Sequence, residues 1–308
     1  MVRGTGTAMM EHVRNLLAPA LLLTALLVPS ACGTGPAGPA AAPTPERATA
    51  TAAPGPVAAV TVPAGVTPPP AGAVADYQLG GPYEPAADVR VVVRDRTAAP
   101  APGLYSICYV NAFQTQPDEN GSWFAQHPDL LLRDGEGRLV EDEGWPGEYL
   151  LDTSTPQRRA ALAEVVGAWV DGCADAGYQA VEPDNLDSAT RSGGALRMED
   201  AYAFAALLAE RAHARGLAFA QKNTPDTTAG QARAAGFDFA VAESCQVYAE
   251  CDAYTAVHGD RVLEVEYSDD GAENFAAACA ARGGTISVVY RDREVLPRGV
   301  PGYEFDRC

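Results

Sequence analysis

Short apolar runs recur along the second three-quarters of the chain, and most end on a charged or amide side chain. The runs read as strands: "DYQLGG", "VRVVVRDR", "LYSICYVNA", "GEYLLD", "YQAVEPDN", "LAFAQKN", "FDFAVAES", "VLEVEYS" and "ISVVYRDR". Between the later runs the pattern changes to the 3.6-residue period of amphipathic helices, predicted over 156–176, 198–215, 227–235 and 272–282. Thr155 followed by Pro156 is a helix start, and a glycine follows each predicted end. Strands separated by single helices imply parallel neighbours joined by right-handed crossovers. Eight or nine such units over about 230 residues predict a (β/α)8 TIM-like barrel rather than an open sheet. Residues 116–147 show no clear helix and contain "RDGEGRLVED", a predicted hairpin around 135–137. They read as an elaborated loop over one barrel face.

The pattern breaks before Asp76. A basic start and an apolar stretch, "LLAPALLLTALLV", lead into "PSACG", which reads as a secretory signal over residues 1–32. Ser30-Ala31-Cys32 resembles a bacterial lipobox, although Pro29 stands where an aliphatic residue is usual. Cys32 is then the expected lipid anchor, and the protein is expected outside the cell, held to the membrane only through that lipid. Residues 33–75 are rich in Ala, Pro, Gly and Thr and nearly free of charge, the composition of an unfolded tether. The folded domain is expected over 76–308.

Setting Cys32 aside leaves six cysteines, an even number suited to disulfides in an exported domain. Cys245 and Cys251 lie close enough in sequence to bridge each other directly after Glu243. Cys108, Cys173, Cys279 and Cys308 then pair in one of three ways. No CxxC pair and only four histidines occur, so neither a metal nor another cofactor is expected. Of 22 basic and 40 acidic residues, three and two respectively precede Asp76, leaving the domain with 19 and 38, a net of −19. That excludes nucleic acid as a natural partner and favours a cationic one.

The polar strand ends carry the chemistry. In a β/α barrel they converge on the face that holds active sites. They are rich in carboxylates and amides, with no serine elbow or thiol nucleophile. Paired carboxylates flanked by hydrogen-bonding groups are what glycoside hydrolysis needs. Asp184, at the end of "VEPD", and Glu243, at the end of "FDFAVAE", are the candidate pair. Apolar neighbours such as Phe239 and Val241 suit Glu243 to the role of general acid. Lys222 is the only lysine of the chain, and beside Asp184 it would keep that carboxylate ionised. Tyrosines and tryptophans near the strand ends, among them Tyr77, Tyr109, Trp145 and Tyr267, offer faces for sugar rings.

"DYQLGG", "CYVNA", "PGEYLLD", "VEPDNLD", "QKN", "ESCQVYAEC" and "VEYS" together resemble the successive motifs of glycoside hydrolase family 114, secreted endo-α-1,4-polygalactosaminidases with a TIM-barrel fold. The resemblance covers residues 76–308. It implies Asp184 and Glu243 as the catalytic carboxylates. It implies a cleft containing Gln78, Asp95, Glu148, Asp152, Asn185, Asp187, Lys222, Asn223, Glu266 and Tyr267, to which the strand-end pattern itself adds Tyr77, Tyr109, Asn111 and Glu182. The implied substrate is a polysaccharide of α-1,4-linked galactosamine, a cationic amino sugar polymer matched to the acidic domain. Two departures stand out: Ser244 where the family has Gln, and Tyr77 where Trp is common. A non-catalytic glycan-binding lipoprotein on the same barrel is the alternative, and a metal-dependent deacetylase a third.

Overall fold

The computed structural model describes residues 60–308; the expected signal segment, the Cys32 anchor and most of the expected tether lie outside them. Eight strands run parallel in sequence order: β1 (Ala75–Gln78), β2 (Val91–Asp95), β3 (Tyr105–Asn111), β4 (Ala180–Asp184), β5 (Ala218–Lys222), β6 (Phe239–Glu243), β7 (Val262–Tyr267) and β8 (Ser287–Arg291). They curve into a nearly closed barrel. β9 (Phe305–Arg307) joins β8 antiparallel.

The predicted helices form with small changes of boundary. α2 (Pro156–Ala176) starts at Thr155, whose side chain accepts from the Arg158 amide, and stops at Gly177 in the left-handed region. α3 spans Met198–Ala214. α4 (Ala229–Ala235) is closed by a Thr228/Gln231 capping box. α6 spans Ala272–Arg282, but Gly283 is right-handed, so no left-handed cap ends it.

Four readings need correction. "GEYLLD" is not a barrel strand: Tyr149, Leu150 and Leu151 make isolated bridges to Glu141, Gln114 and Leu131 within the segment between β3 and α2. The loop region contains a helix, α1 (Asn120–Gln126), too short and too weakly amphipathic to stand out in sequence; Trp123 is its buried anchor. α5 (Cys251–His258) begins at a disulfide cysteine and was hidden by it. Finally, residues 60–75 are part of the fold rather than tether. Val60 is buried in the core and its carbonyl accepts from Arg261, while the Thr67 carbonyl accepts from the Tyr105 hydroxyl.

Two apolar layers form the core. Inside the barrel lie Ala75, Tyr77, Val91, Val93, Ile107, Ala180, Ala218, Ala220, Phe239, Val241, Val265 and Val289. Between strands and helices lie residues such as Phe113, Leu162, Val166, Phe204, Leu208, Phe219 and Phe237. Three disulfides staple it: Cys108–Cys173, Cys245–Cys251 and Cys279–Cys308. The first ties β3 to α2, and the third ties α6 to the chain's end.

Candidate active site

Strand alternation decides which polar ends meet. Along each barrel strand every second side chain enters the interior. The inward series Ala180, Glu182, Asp184 and Ala218, Ala220, Lys222 and Phe239, Val241, Glu243 each run from an apolar base to a charged top. The residue after each strand turns sharply: Asn185, Asn223 and Ser244 have φ of 65°, 50° and 52°. Left-handed backbone costs a non-glycine residue about 1 kcal/mol or more, and three such turns at adjacent strand ends mark a site held by its surroundings.

Lys222 is the hub, with its side chain 1 % exposed. Its Nζ lies 2.9 Å from Glu182 Oε1, 3.2 Å from Asp184 Oδ1 and 3.3 Å from Glu243 Oε2, and it donates to the Tyr77 hydroxyl at 3.2 Å. Burial alone would lower the ammonium's pKa; the three carboxylates outweigh this and hold it well above the ordinary lysine value. Asp184 accepts from the Tyr109 hydroxyl at 2.6 Å and from the Asn185 amide at 2.7 Å. Burial pushes its carboxyl up, but Lys222, Tyr109 and the Asn185 amide prevail and hold it below the ordinary aspartate value. Glu243 accepts from Tyr267 at 2.5 Å and Asn223 Nδ2 at 3.2 Å, and its own amide donates to Asn223 Oδ1. Its carboxylate therefore meets Lys222, Asn223 and Tyr267, while Phe239 and Val241 lie deeper in the barrel.

Around the pair, Asn185 donates to Asn111, and Asn111 donates to Glu148 at 3.0 Å. Burial raises the Glu148 carboxyl to about 7, aided by the nearby charge of Asp184 and opposed by Asn111. Arg191 holds Asp187 at 2.8 Å, Asp142 at 2.6 Å and the Asn185 side-chain Oδ1 at 2.9 Å. A cavity of about 290 Å³ opens above Asp184 and Glu243, walled by Tyr109, Trp145, Glu148, Tyr267, Arg293 and Val295. A second, of about 400 Å³, is lined by Tyr202, Asp226, Tyr248, Glu250 and Tyr254. Asp187, Asn223 and Glu243 line both, so the two form one groove. Gly80 is needed at its edge: a Cβ there would stand 2.5 Å from the Val295 carbonyl oxygen, which accepts from the Gly80 amide.

The structure brings together Tyr77, Tyr109, Asn111, Glu148, Glu182, Asp184, Asn185, Asp187, Lys222, Asn223, Glu243 and Tyr267. Tyr77 and Glu182 are fully buried beneath Lys222, so neither faces substrate. Four expected members lie elsewhere. Gln78 points out of the barrel, bonded to Asp76 and Arg94. Asp95 folds back on Thr97. Asp152 pairs with Arg158 and caps Ser154 before α2. Glu266 faces α5 and α6, accepting from the Gln246 amide near Glu264, and burial raises its carboxyl to about 7. Cys245, Cys251, Glu264 and Glu266 converge within 4.8 Å, but the sulfurs are bonded to each other and Glu264 is paired with Arg282. Among the groove residues that the sequence reading missed, Tyr248 and Glu250 had a signal: both sit in the loop closed by Cys245–Cys251. Arg293, stacked over Tyr267 at 4.0 Å, had only its strand-end position.

The family model for glycoside hydrolases GH114 matches residues 56–308. The chain belongs to glycoside hydrolase family GH114. Two solved structures share this barrel fold. One is Aspergillus fumigatus Ega3 in complex with galactosamine, at 23 % identity and TM-score 0.63 over 79 % of this chain and 98 % of that one. The other is the glycoside hydrolase domain of PelA from Pseudomonas aeruginosa, at 14 % identity and TM-score 0.51 over 74 % and 97 %. No curated protein matches the sequence closely enough to count as a relative. Of the two departures from the GH114 pattern, Ser244 donates to Asp270 and so ties β6 to the loop after β7, and Tyr77 donates to Glu182 at 2.6 Å.

Proposed function

We propose that this glycoside hydrolase cleaves α-1,4-linked galactosamine-containing polysaccharide with Asp184 as nucleophile and Glu243 as general acid and base. The observation that carries the reading is the acid pair sharing one buried ammonium on the floor of a groove. Glu243 protonates the glycosidic oxygen as Asp184 attacks the anomeric carbon, giving a glycosyl ester on Asp184. Glu243, now ionised, takes a proton from water, and the resulting hydroxide cleaves the ester. An ammonium touching both acids draws them together. This suits the roughly 5–5.5 Å spacing of double displacement better than the wider gap needed for direct attack by water, so the anomeric configuration is retained.

Asp187, Asp226, Glu250 and Glu148 line the groove and favour a polymer carrying free amines. Tyr109, Tyr267, Trp145 and Tyr248 supply aromatic surface for the sugar rings. That the Ega3 structure holds galactosamine agrees with this substrate class. The proposal includes export by the N-terminal segment and anchoring through Cys32, which would hold the enzyme on the outer face of the membrane.

Digestion of α-1,4-galactosamine polymers of graded acetylation, followed by mass spectrometry and proton NMR of the products, tests the reading. Internal cleavage with the α-anomer released first is expected, with rates falling as acetylation and salt rise. No cleavage of any polymer in the series would reject it.

A further inference from the structure

Beneath the acid pair lies a third carboxylate that no substrate can touch. Glu182 is 0 % exposed and sits two residues before Asp184 on β4, one layer deeper in the barrel. Its Oε1 accepts from both Tyr77, at 2.6 Å, and Lys222, at 2.9 Å. Its Oε2 is buried with no hydrogen-bond partner among the described residues. A half-satisfied buried carboxylate is costly to keep. A buried glutamine or methionine would fill the same space more cheaply.

The geometry around Lys222 gives a reason. An ammonium has three N–H donors, and four acceptors surround this one: Glu182 and Tyr77 below, Asp184 and Glu243 above. The shortest contact is the one to Glu182. We propose that Glu182 is a positioning residue: a buried counter-charge that draws Lys222 down and limits how much of its positive charge reaches Asp184 and Glu243. The inference rests on the assignment of those two residues as the working pair.

That pair needs unlike protonation, one carboxylate ionised and one carrying a proton. A cation shared evenly by both, 3.2 and 3.3 Å away, would hold both ionised and remove the acid. With Glu182 ionised below, much of the ammonium's field is cancelled before it reaches the groove. Each upper carboxylate takes one tyrosine hydroxyl, Tyr109 on Asp184 and Tyr267 on Glu243, so the amide donors then distinguish them: the Asn185 backbone amide at 2.7 Å on Asp184, the Asn223 side chain at 3.2 Å on Glu243. The charged and titratable groups facing Glu182 are Tyr77 on β1, Tyr109 on β3, Asp184 on β4 and Lys222 on β5, with Glu243 on β6 across the lysine. Burial pushes the Glu182 carboxyl upward, and Lys222 and Tyr77 oppose that.

Two variants and one spectroscopic probe test this. In Glu182→Gln, which keeps the shape, turnover should fall about tenfold or more with KM within about twofold, since the residue never meets substrate. The alkaline limb of its kcat/KM profile should move to lower pH by about one unit, as the acid is lost sooner. Tyr77→Phe, which changes no charge but removes a donor to Glu182, should move that limb the same way by less. Lys222 is the only lysine of the chain, so ¹³C-labelled lysine reports it as a single resonance. Between pH 3 and 9 that resonance should lose one inflection in Glu182→Gln relative to wild type. If the variant only melts earlier, with the alkaline limb and the lysine titration unchanged, Glu182 is a packing residue and the proposal falls. Should wild type cleave no galactosamine polymer, the acid-pair assignment fails instead, while the lysine titration still reports whether Glu182 controls the ammonium's surroundings.

Discussion

Two buried polar networks at strand ends of this barrel differ in what lies above them: the floor of the groove in one, the carbonyls and side chains of a closed seam in the other. The first joins Lys222, Asp184, Glu243, Glu182 and Tyr77 on the inward side of β1 and β4–β6. The second closes the seam between β1 and β8. There Arg291, 0 % exposed, donates to the Glu304 and Leu296 carbonyls and pairs with Asp76 at 3.8 Å. Asp76 in turn accepts from Tyr83 and Gln78, and Gln78 accepts from Arg94. Both networks contain a buried cation ringed by acids, amides and tyrosines. In the seam nearly every donor is spent on a carbonyl or a side chain of the same network. In the cleft the upper carboxylates keep one face open, Asp184 at 18 % and Glu243 at 24 % side-chain exposure. Strand-end polarity therefore does not mark function by itself. Residual exposure above a charged floor does.

The comparison breaks most sharply by isosteric loss of charge on each side. Asp184→Asn and Glu243→Gln should each lower turnover by about a thousandfold or more while circular dichroism and melting stay near wild type. A residual rate above about a tenth of wild type in either variant would end the distinction for that residue. Arg291→Met should do the reverse. It leaves Asp76 buried without its cation, and destabilisation of about 3–5 kcal/mol is expected, a fall in Tm of roughly 10 °C. Turnover of the folded fraction at 25 °C should stay within about twofold. Denaturant unfolding together with kcat separates the two effects.

Lys222→Met acts inside the cleft but makes no bond to substrate in the proposed chemistry, so its effect should be smaller, about 10–100-fold in turnover. Asp184 is held below its ordinary pKa by Lys222 and its other donors. Without the lysine its carboxyl rises, and the acidic limb of the pH–rate profile moves to higher pH. An acidic limb that stays in place would show that Tyr109 and the Asn185 amide suffice.

Glu266 gives the mildest test, from outside both networks. Its folded carboxyl is raised to about 7, and its Oε2 has no partner among the described residues. Between about pH 4.5 and 7 the unfolded chain releases this proton while the folded chain keeps it. Stability attributable to Glu266 therefore falls as pH rises through that window and stays low above it. Glu266→Gln removes that loss, so Tm should gain about 1–3 °C at pH 8 and less at pH 5. Equal gains at both pH values would assign the effect to packing rather than charge.

The misplaced residues show why the cleft was only partly legible. Gln78 and Glu266 each neighbour an inward tyrosine, Tyr77 and Tyr267, and differ from them only in strand parity. In an antiparallel sheet with one wet face, parity shows as alternating polarity. In these parallel strands both faces are covered, so Val92 and Val93, or Ala240 and Val241, look alike although the first of each pair faces the outer layer of loops or helices and the second the barrel interior. Asp95 has inward parity, yet its carboxylate is captured by Thr97, a local turn that outcompetes the cleft. Tyr248 and Glu250 lie in the loop that Cys245–Cys251 closes, which told that they are near Glu243 but not that they face the groove, and Arg293 lies in a loop whose path only packing sets.

What the chain's order of residues determined by itself was the barrel, through the repeat of apolar runs and helices, and the chemical type of its mouth, through the carboxylates and lone lysine that end those runs. Both follow from local rules: periodicity, capping and the convergence of strand ends. Tertiary structure alone decided which acids share an ammonium, because that depends on register between strands tens of residues apart. Glu182, Asp184, Lys222 and Glu243 span 62 positions of sequence yet meet at one nitrogen, and no local pattern encodes a distance of 3 Å across a barrel.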